Sequence, residues 1–419
     1  MGEMSFTDRE KRMTTEEFIR LHTDDDVRDL ALQKAKYPHV DLNYALDQIA
    51  GRQKAKLKLP SWAIHDSIVF PSHLSMEQCS SESTAKYKAR LVRDLMDKQP
   101  PSSLPITPFL LVDLTTGFGV DFTMMAKALR EVFRVEKGRV ACVERQEGLC
   151  DIVKHNLSVF GMRQVDVVCG DGVDYLHELS HSCIIFLDPA RRNVHGGRTF
   201  AISDCTPDVL SIKQELLEKA DFVVLKLSPM LDVQATVEAL GTDYVRAVHI
   251  VSVSNECKEL LVVLSKQGGP TEVFCVNDDS SLSFSLDDHQ SVEYVEQCSA
   301  GLYLYEPNTS LMKAKCFGLI CKQYGVKAIG ANSHLFISPR IIADFPGRKF
   351  QISAISSMNK KELKQHLQGI SCANITTRNF PLTVRDLRKR LKLRDGGNVY
   401  LFATTIGNAD HRLLICHHI

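Results

Sequence analysis

Seven short apolar runs recur between residues 109 and 265, and they constrain the fold of this 419-residue chain more than any other feature. They are "FLLVDL" (109–114), "RVACVE" (139–144), "VDVVC" (165–169), "CIIFL" (183–187), "DFVVLKL" (221–227), "RAVHIVSV" (246–253) and "ELLVVLS" (259–265). Most are rich in Val, Ile and Leu on both faces, which suits strands covered on both sides by helices. Amphipathic stretches such as "DFTMMAKALREVF" (121–133) separate the first few. The alternation predicts a doubly wound α/β domain of seven strands. That is one strand more than the usual dinucleotide sheet, and the last two runs have no long helix between them.

The flanks read differently. Residues 1–98 form a helical region. Thr14-x-x-Glu17 and Thr23-x-x-Asp26 have the spacing of helix N-caps, and Phe18, Val27, Leu30 and Leu32 follow at roughly helical spacing. "QPPSSLP" (99–105) is a linker by its prolines and serines. After the seventh run the composition shifts. Residues 271–300 hold Glu272, Asp278, Asp279, Asp287, Asp288, Glu293 and Glu296 with no lysine or arginine, which predicts a domain exit. Residues 300–419 read as a smaller α+β region. Within it, 340–395 carries 13 Lys and Arg against four acids, Asp344, Glu362, Asp386 and Asp395.

Fifty-one basic residues balance 51 acidic ones, which argues against a protein that coats DNA but allows a local basic face. The first thirty residues have no apolar core of a signal peptide, and no run is long enough to predict a membrane span. Thirteen cysteines without a CxxC pair fit a reducing cytoplasm better than a disulfide framework. Cys316-x4-Cys321 and the terminal Cys416-His417-His418 have poor spacing for zinc, so no metal is expected.

The first strand runs into "DLTTGFGVD" (113–121), where Thr115, Gly117 and Gly119 form a turn before a helix. Glycines at such a turn let a nucleotide-like ligand approach bare backbone. The third glycine of a dinucleotide fingerprint is missing, because that position is Phe122. Asp113 and Asp121 flank the loop; carboxylates repel a pyrophosphate but suit a cationic amino group or a sulfonium. Glu144 closes the second run, placed to grip a ribose diol. Asp171, in "CGDGVDYL" after the third run, is placed to accept from an adenine amino group.

This order of acids and glycines, followed by Asp188-Pro189 after the fourth run, resembles the class I S-adenosylmethionine-dependent methyltransferases, over about 105–265. More closely, the chain resembles bacterial methyltransferases with a C-terminal THUMP-like domain, through "DLTTGFGVD", "LDPARR", "KLSPMLD", "NECKELL" and "RNFPLTVRDLRKRLKLRDGGNVYLFAT" (378–404). The resemblance implies a seven-stranded Rossmann-like methyltransferase domain over 105–270, a ferredoxin-like segment over 295–340 and a THUMP-like domain over 341–419. It implies S-adenosylmethionine as cofactor and, by analogy with other THUMP proteins, RNA as partner. "VKHNLSVFGM" (153–162) is similar to a helix of RNA guanine-N2 methyltransferases. "LSMEQCSSESTAKYKARL" (74–91) is similar to the segment those enzymes fold over the cofactor, which implies Ser81 and Thr84 at its methionine end.

In the amino-methyltransferases the fourth strand ends in acid-Pro-Pro-aromatic. The acid and a backbone carbonyl accept from the target N–H groups, and the aromatic stacks on the base. Here Asp188 and Pro189 match, but Ala190 replaces the second proline and Arg191 the aromatic. Arg191 would stack on a base through its guanidinium plane, or with Arg192 hold a phosphate. Lys226 contacts substrate or pairs with Asp232. Cys257 lacks the surroundings of a pyrimidine C5 nucleophile. Arg385, Arg388, Lys389 and Arg390 cluster in "RDLRKRLKLRDGG" (385–397), suited to phosphates rather than base edges. The reading is a cytoplasmic S-adenosylmethionine-dependent methyltransferase acting on a base nitrogen, guanine or adenine, of tRNA or rRNA. Its rivals are a methyltransferase of a protein or small molecule, and a non-catalytic RNA-binding protein.

Overall fold

A computed structural model describes residues 13–98, 109–132, 139–191 and 201–419, and of Arg191 the backbone only. The linker at 99–105 lies outside the described residues. The chain divides into two compact units, 1–246 with 261–268, and 247–260 with 269–419.

All seven apolar runs are strands. They are β1 (Phe109–Asp113), β2 (Val140–Glu144), β3 (Asp166–Cys169), β4 (Ser182–Leu187), β7 (Ala220–Leu227), β8 (Val245–Val253) and β9 (Glu256–Leu264). A short hairpin, β5 (Ala190–Arg191) with β6 (Cys205–Thr206), stands apart. The sheet order is β3-β2-β1-β4-β7-β9-β8-β10-β11, so it has nine strands rather than seven. The two extra strands, β10 (Glu272–Asn277) and β11 (Ser280–Ser285), lie in the acidic stretch expected to leave the domain. β10 pairs in parallel with β8 and turns back antiparallel into β11.

The centre of the sheet is its driest part, as its both-face apolar pattern requires. Every residue of β4 is buried, and so are four of the five in β1. β1 lies parallel between β2 and β4, with Leu111 opposite Val140 on one side and Ile184 on the other. The chain reverses its direction of winding between β1 and β4, the place where open α/β sheets leave a crevice beyond the strand carboxyl ends.

The N-terminal residues fold as helices, the longest being Leu42–Lys58 and Glu82–Asp97. Thr14 and Glu17 make the expected reciprocal cap. The second cap differs: Asp26, not Thr23, accepts from the helix start, while the Thr23 hydroxyl donates back to the Ile19 carbonyl. A carboxylate one residue before the helix outcompetes a hydroxyl three residues further back. Trp62, Ile68, Phe70 and Met76 from this region pack with Phe118, the middle residue of the glycine loop. Two amide brackets fasten the irregular 61–75 segment. Gln48 bonds the Phe70 N–H and carbonyl at 2.8 and 2.7 Å. Asn156, on helix Glu147–Val159, does the same for Val69 at 3.0 and 2.9 Å.

In the second unit, residues 303–418 build a sheet of seven strands. The strands are β12 (Tyr303–Pro307), β13 (Lys327–Ala328), β14 (Phe336–Ser338), β15 (Gly347–Ser356), β16 (Asn374–Arg378), β17 (Val399–Ile406) and β18 (Asp410–His418), in the order β13-β14-β12-β15-β18-β17-β16. Strand periodicity sends alternate residues to opposite cores. Phe402, Leu414 and Cys416 go to one, and Leu401, Ala403, Leu413 and Ile415 to the other. Among the described residues no helix is long and apolar enough to cross a membrane, and no group of acids, histidines and cysteines could hold a metal.

Candidate active site

The expected cofactor residues meet beyond the carboxyl ends of β1 to β4. Asp113 ends β1, is fully buried, and accepts the Thr115 N–H at 2.9 Å. Burial pushes its carboxyl well above the usual range, against the Thr115 bond, and the charges of Asp121 and Asp188 push the same way. The Thr115 hydroxyl accepts the Asp188 N–H at 2.6 Å, tying the loop after β1 to the end of β4.

Glu144, at the end of β2, binds two backbone N–H groups at 2.8 Å, Gly117 at one oxygen and Gln146 at the other. A carboxylate has about four lone-pair sites, so both oxygens can accept again. Gly117 has φ +57, and a Cβ built there meets nothing within 4 Å, so the loop's outer side is open backbone. Gly119, at φ +82, would bring a Cβ to 3.2 Å from Val153.

Asp171 caps helix Gly172–Glu178 by accepting from Val173 N–H at 2.8 Å. The Gly170 N–H donates to the Glu144 carbonyl at 3.0 Å, so the loop after β3 hangs on β2. Gly172 permits the approach to β1: a Cβ there would lie 2.2 Å from the Leu114 carbonyl oxygen. Sequence reading passed over Gly172; the Asp-Gly pair at a strand-to-helix turn was its signal.

Asp121 faces cations rather than open space. Its Oδ1 lies 3.1 Å from Lys88 Nζ, and its Oδ2 accepts from Ser80 at 2.7 Å and from Lys226 at 3.4 Å. Burial raises the Asp121 carboxyl, but Lys88 and Lys226 outweigh it and hold the group below its ordinary value. Lys226 also donates to Asp188 Oδ2 at 2.6 Å. Asp232, the other partner considered for Lys226, caps helix Val233–Leu240 through Ala235 N–H. Of the acids joined by Lys226, Asp188 is the reachable one, its side chain 38% exposed against 11% for Asp121.

Ser81 and Thr84 cap helix Glu82–Asp97 together, Ser81 Oγ accepting the Thr84 N–H at 3.3 Å. Their neighbour Ser80 is the residue that reaches an acid of the site, Asp121. Lys88, fully buried on the same helix, was also missed. Its signal is a lone cation in the apolar stripe of Ala85, Ala89, Val92 and Met96. Pro189 is buried beside Asp188. Arg191 is described only as backbone paired with Cys205, and Arg192 lies outside the described residues.

The basic cluster belongs to the second unit. Helix Val384–Leu391 buries Leu387 and exposes Arg385, Lys389 and Arg390. Arg388 is engaged within the fold, donating to the Asp395 carboxylate and, at 3.3 Å, to the Ala373 carbonyl.

The first unit thus presents strand-end carboxylates around open glycine backbone. That donor set fits a ligand bringing an ammonium, a sulfonium, a ribose diol and an adenine amino group, as S-adenosylmethionine does. Residues 303–346 match the family model of a ferredoxin-like domain, and 347–418 that of a THUMP domain-like family. The crystal structure of a putative methyltransferase from Porphyromonas gingivalis is 29% identical, with 96% of this chain and 97% of that one covered and a TM-score of 0.79. Two uncharacterized S-adenosylmethionine-dependent methyltransferases of Mycobacterium tuberculosis strains are each 24% identical over 270 residues, 61% of this chain and 68% of theirs.

Proposed function

We propose that this chain, an S-adenosylmethionine-dependent methyltransferase ending in a THUMP-like domain, methylates a base nitrogen, guanine or adenine, of tRNA or rRNA. The observation that carries the RNA reading is the THUMP-like match over 347–418, with Arg385, Lys389 and Arg390 exposed on one short helix inside it. In this reading 1–98 completes the cofactor site, 105–270 carries the chemistry, and 295–340 and 341–419 present the RNA. Exposed cations on one helix contact phosphates without reading bases, as delivery of a structured RNA requires. We place the protein in the cytoplasm, where its thirteen cysteines would stay reduced.

Bound S-adenosylmethionine supplies a methyl carbon already activated by the sulfonium, so the protein's work is orientation and exclusion of water. Glu144 would hold the ribose hydroxyls, Asp171 the adenine amino group, and Asp113 the cationic amino acid end. Ser81 and Thr84 would line that end, with Thr115, Gly117 and Gly119 shaping the loop beneath it, while Asp121 meets Lys88 and Lys226 instead. Asp188 and the Pro189 carbonyl would accept from the target N–H groups and so orient the nitrogen. Lys226 fixes the Asp188 carboxylate through their 2.6 Å contact. Arg191 and Arg192 would clamp the base or its phosphate.

The test is transfer of tritiated methyl to bulk RNA from a strain lacking the protein, with and without RNase, beside Asp188→Ala. Label that enters RNA and is lost with RNase and with the variant supports the reading, and nucleoside digestion then names the base. Label in protein or a small molecule instead would assign the acceptor elsewhere and leave the cofactor site standing.

A further inference from the structure

Among the described side chains, the charges around Asp188 do not balance within the sheet domain. Asp113, Asp121 and Asp188 gather beside one lysine of the sheet, Lys226. The second ammonium comes from outside the sheet, on helix Glu82–Asp97 of the N-terminal region. We propose that Lys88 is a positioning residue for methyl transfer: it holds Asp121 so that Lys226 stays on Asp188. The proposal rests on Asp188 being the group that orients the acceptor.

The contacts form an ordered chain. Lys88 Nζ lies 3.1 Å from Asp121 Oδ1, Asp121 Oδ2 lies 3.4 Å from Lys226 Nζ, and Lys226 Nζ lies 2.6 Å from Asp188 Oδ2. Ser80 braces it, donating to Asp121 Oδ2 at 2.7 Å and accepting from Lys88 at 3.2 Å. Lys88 has a side chain 0% exposed, where an ammonium is costly unless paired, and Asp121 supplies a partner. Lys226 stands between two carboxylates and is nearer to Asp188. Attraction grows as separation shrinks, so the balance depends on how much of the Asp121 charge is already met. Without Lys88, Asp121 would draw Lys226 across, and Asp188 would lose its anchor. Lys58, a nearby cation, is committed to the Met76 and Glu77 carbonyls at 2.9 and 2.8 Å. The N-terminal helix therefore supplies a charge that the chemistry needs.

The experiment compares the full chain with Lys88→Met and with Lys88→Met/Asp121→Asn, which removes both charges of the pair. Crystal structures give the Lys226–Asp188 distance, and steady-state transfer to bulk RNA gives kcat and the KM for S-adenosylmethionine. In Lys88→Met, Lys226 should leave hydrogen-bond reach of Asp188, with kcat down about tenfold or more and KM little changed. The double variant should recover both the contact and, within about threefold, kcat. Lys226 still on Asp188 in Lys88→Met overturns the proposal, as does a double variant that keeps the contact but stays as slow as the single one. Should Lys88→Met fail to fold, the double variant decides: a lost contact or low kcat there overturns the proposal equally. The distance is read without any acceptor, so a chain that labels no RNA would refute the RNA reading while the geometry still judged Lys88.

Discussion

Adding one methyl group at Gly172 should weaken cofactor binding, although alanine is the better helix former at that position. Gly172 opens helix Gly172–Glu178, where alanine would on propensity alone stabilise by up to about 1 kcal/mol. The added Cβ would lie 2.2 Å from the Leu114 carbonyl oxygen, whereas a carbon–oxygen contact normally needs roughly 3.3 Å. Leu114 follows β1 and Asp171 caps the helix, so the helix start and the loop must part by roughly 1 Å. Overpacking of this kind costs about 1–3 kcal/mol, which outweighs the propensity gain. It also separates Asp171 from the loop holding Asp113 and Gly117. Calorimetric titration with S-adenosylmethionine should show Kd raised about tenfold or more, as a loss of ~1.4 kcal/mol implies. Gly170→Ala is the control, since its Cβ would meet nothing within 4 Å and its backbone is not left-handed. Equal effects from the two substitutions, or wild-type affinity in Gly172→Ala, would refute the steric reasoning.

Three further outcomes follow from the same geometry. Asp113→Asn should raise the melting temperature of the cofactor-free protein near neutral pH while weakening cofactor binding about tenfold, from loss of a charged hydrogen-bond partner. Burial raises the Asp113 pKa, so its contribution to stability is fully present below the unfolded value and is lost as pH rises through the folded one; melting followed across that range should decline less steeply in the variant. Phe118→Ala empties a ring position packed 5.0 Å from Trp62 and should cost about 3–5 kcal/mol by denaturant unfolding, with faster amide exchange in 61–75. Replacing Arg385, Lys389 and Arg390 together by alanine should lower RNA affinity and reduce the slope of log K against log salt by about 2–3. Arg388→Ala should instead lower the melting temperature, because Arg388 already serves Asp395 and the Ala373 carbonyl.

How far the chain could be read depended on the range of the forces involved. The seven runs were legible because a strand buried on both faces must be apolar at nearly every position, a local property. The two strands missed, β10 and β11, sat under a composition signal that misled. Val273, Cys275 and Val276 of β10 are buried, while Asp278 and Asp279 occupy the turn and Asp287 and Asp288 follow β11. Counting charge hid the alternation.

Legible too were the glycine loop and the acids Asp113, Glu144 and Asp171, because a chain that winds strand by strand brings the residue after each strand to the same edge of the sheet. Their partners were not legible. That Glu144 receives the Gly117 N–H, across 27 residues, or that Lys226 meets Asp188 across 38 and Asp121 across 105, follows from strand order and from no local pattern. Lys88 is the extreme case. In sequence it is a lone cation in an apolar stripe, which marks it as buried but names no partner; burial makes it costly to leave unpaired, and only the packing of that helix on the sheet domain supplies Asp121. Sequence alone determined which segments become strands and which acids reach the sheet edge, because burial and periodicity act over a few residues. Tertiary structure alone decided which charges meet, because electrostatic pairing depends on distances that only the completed fold sets.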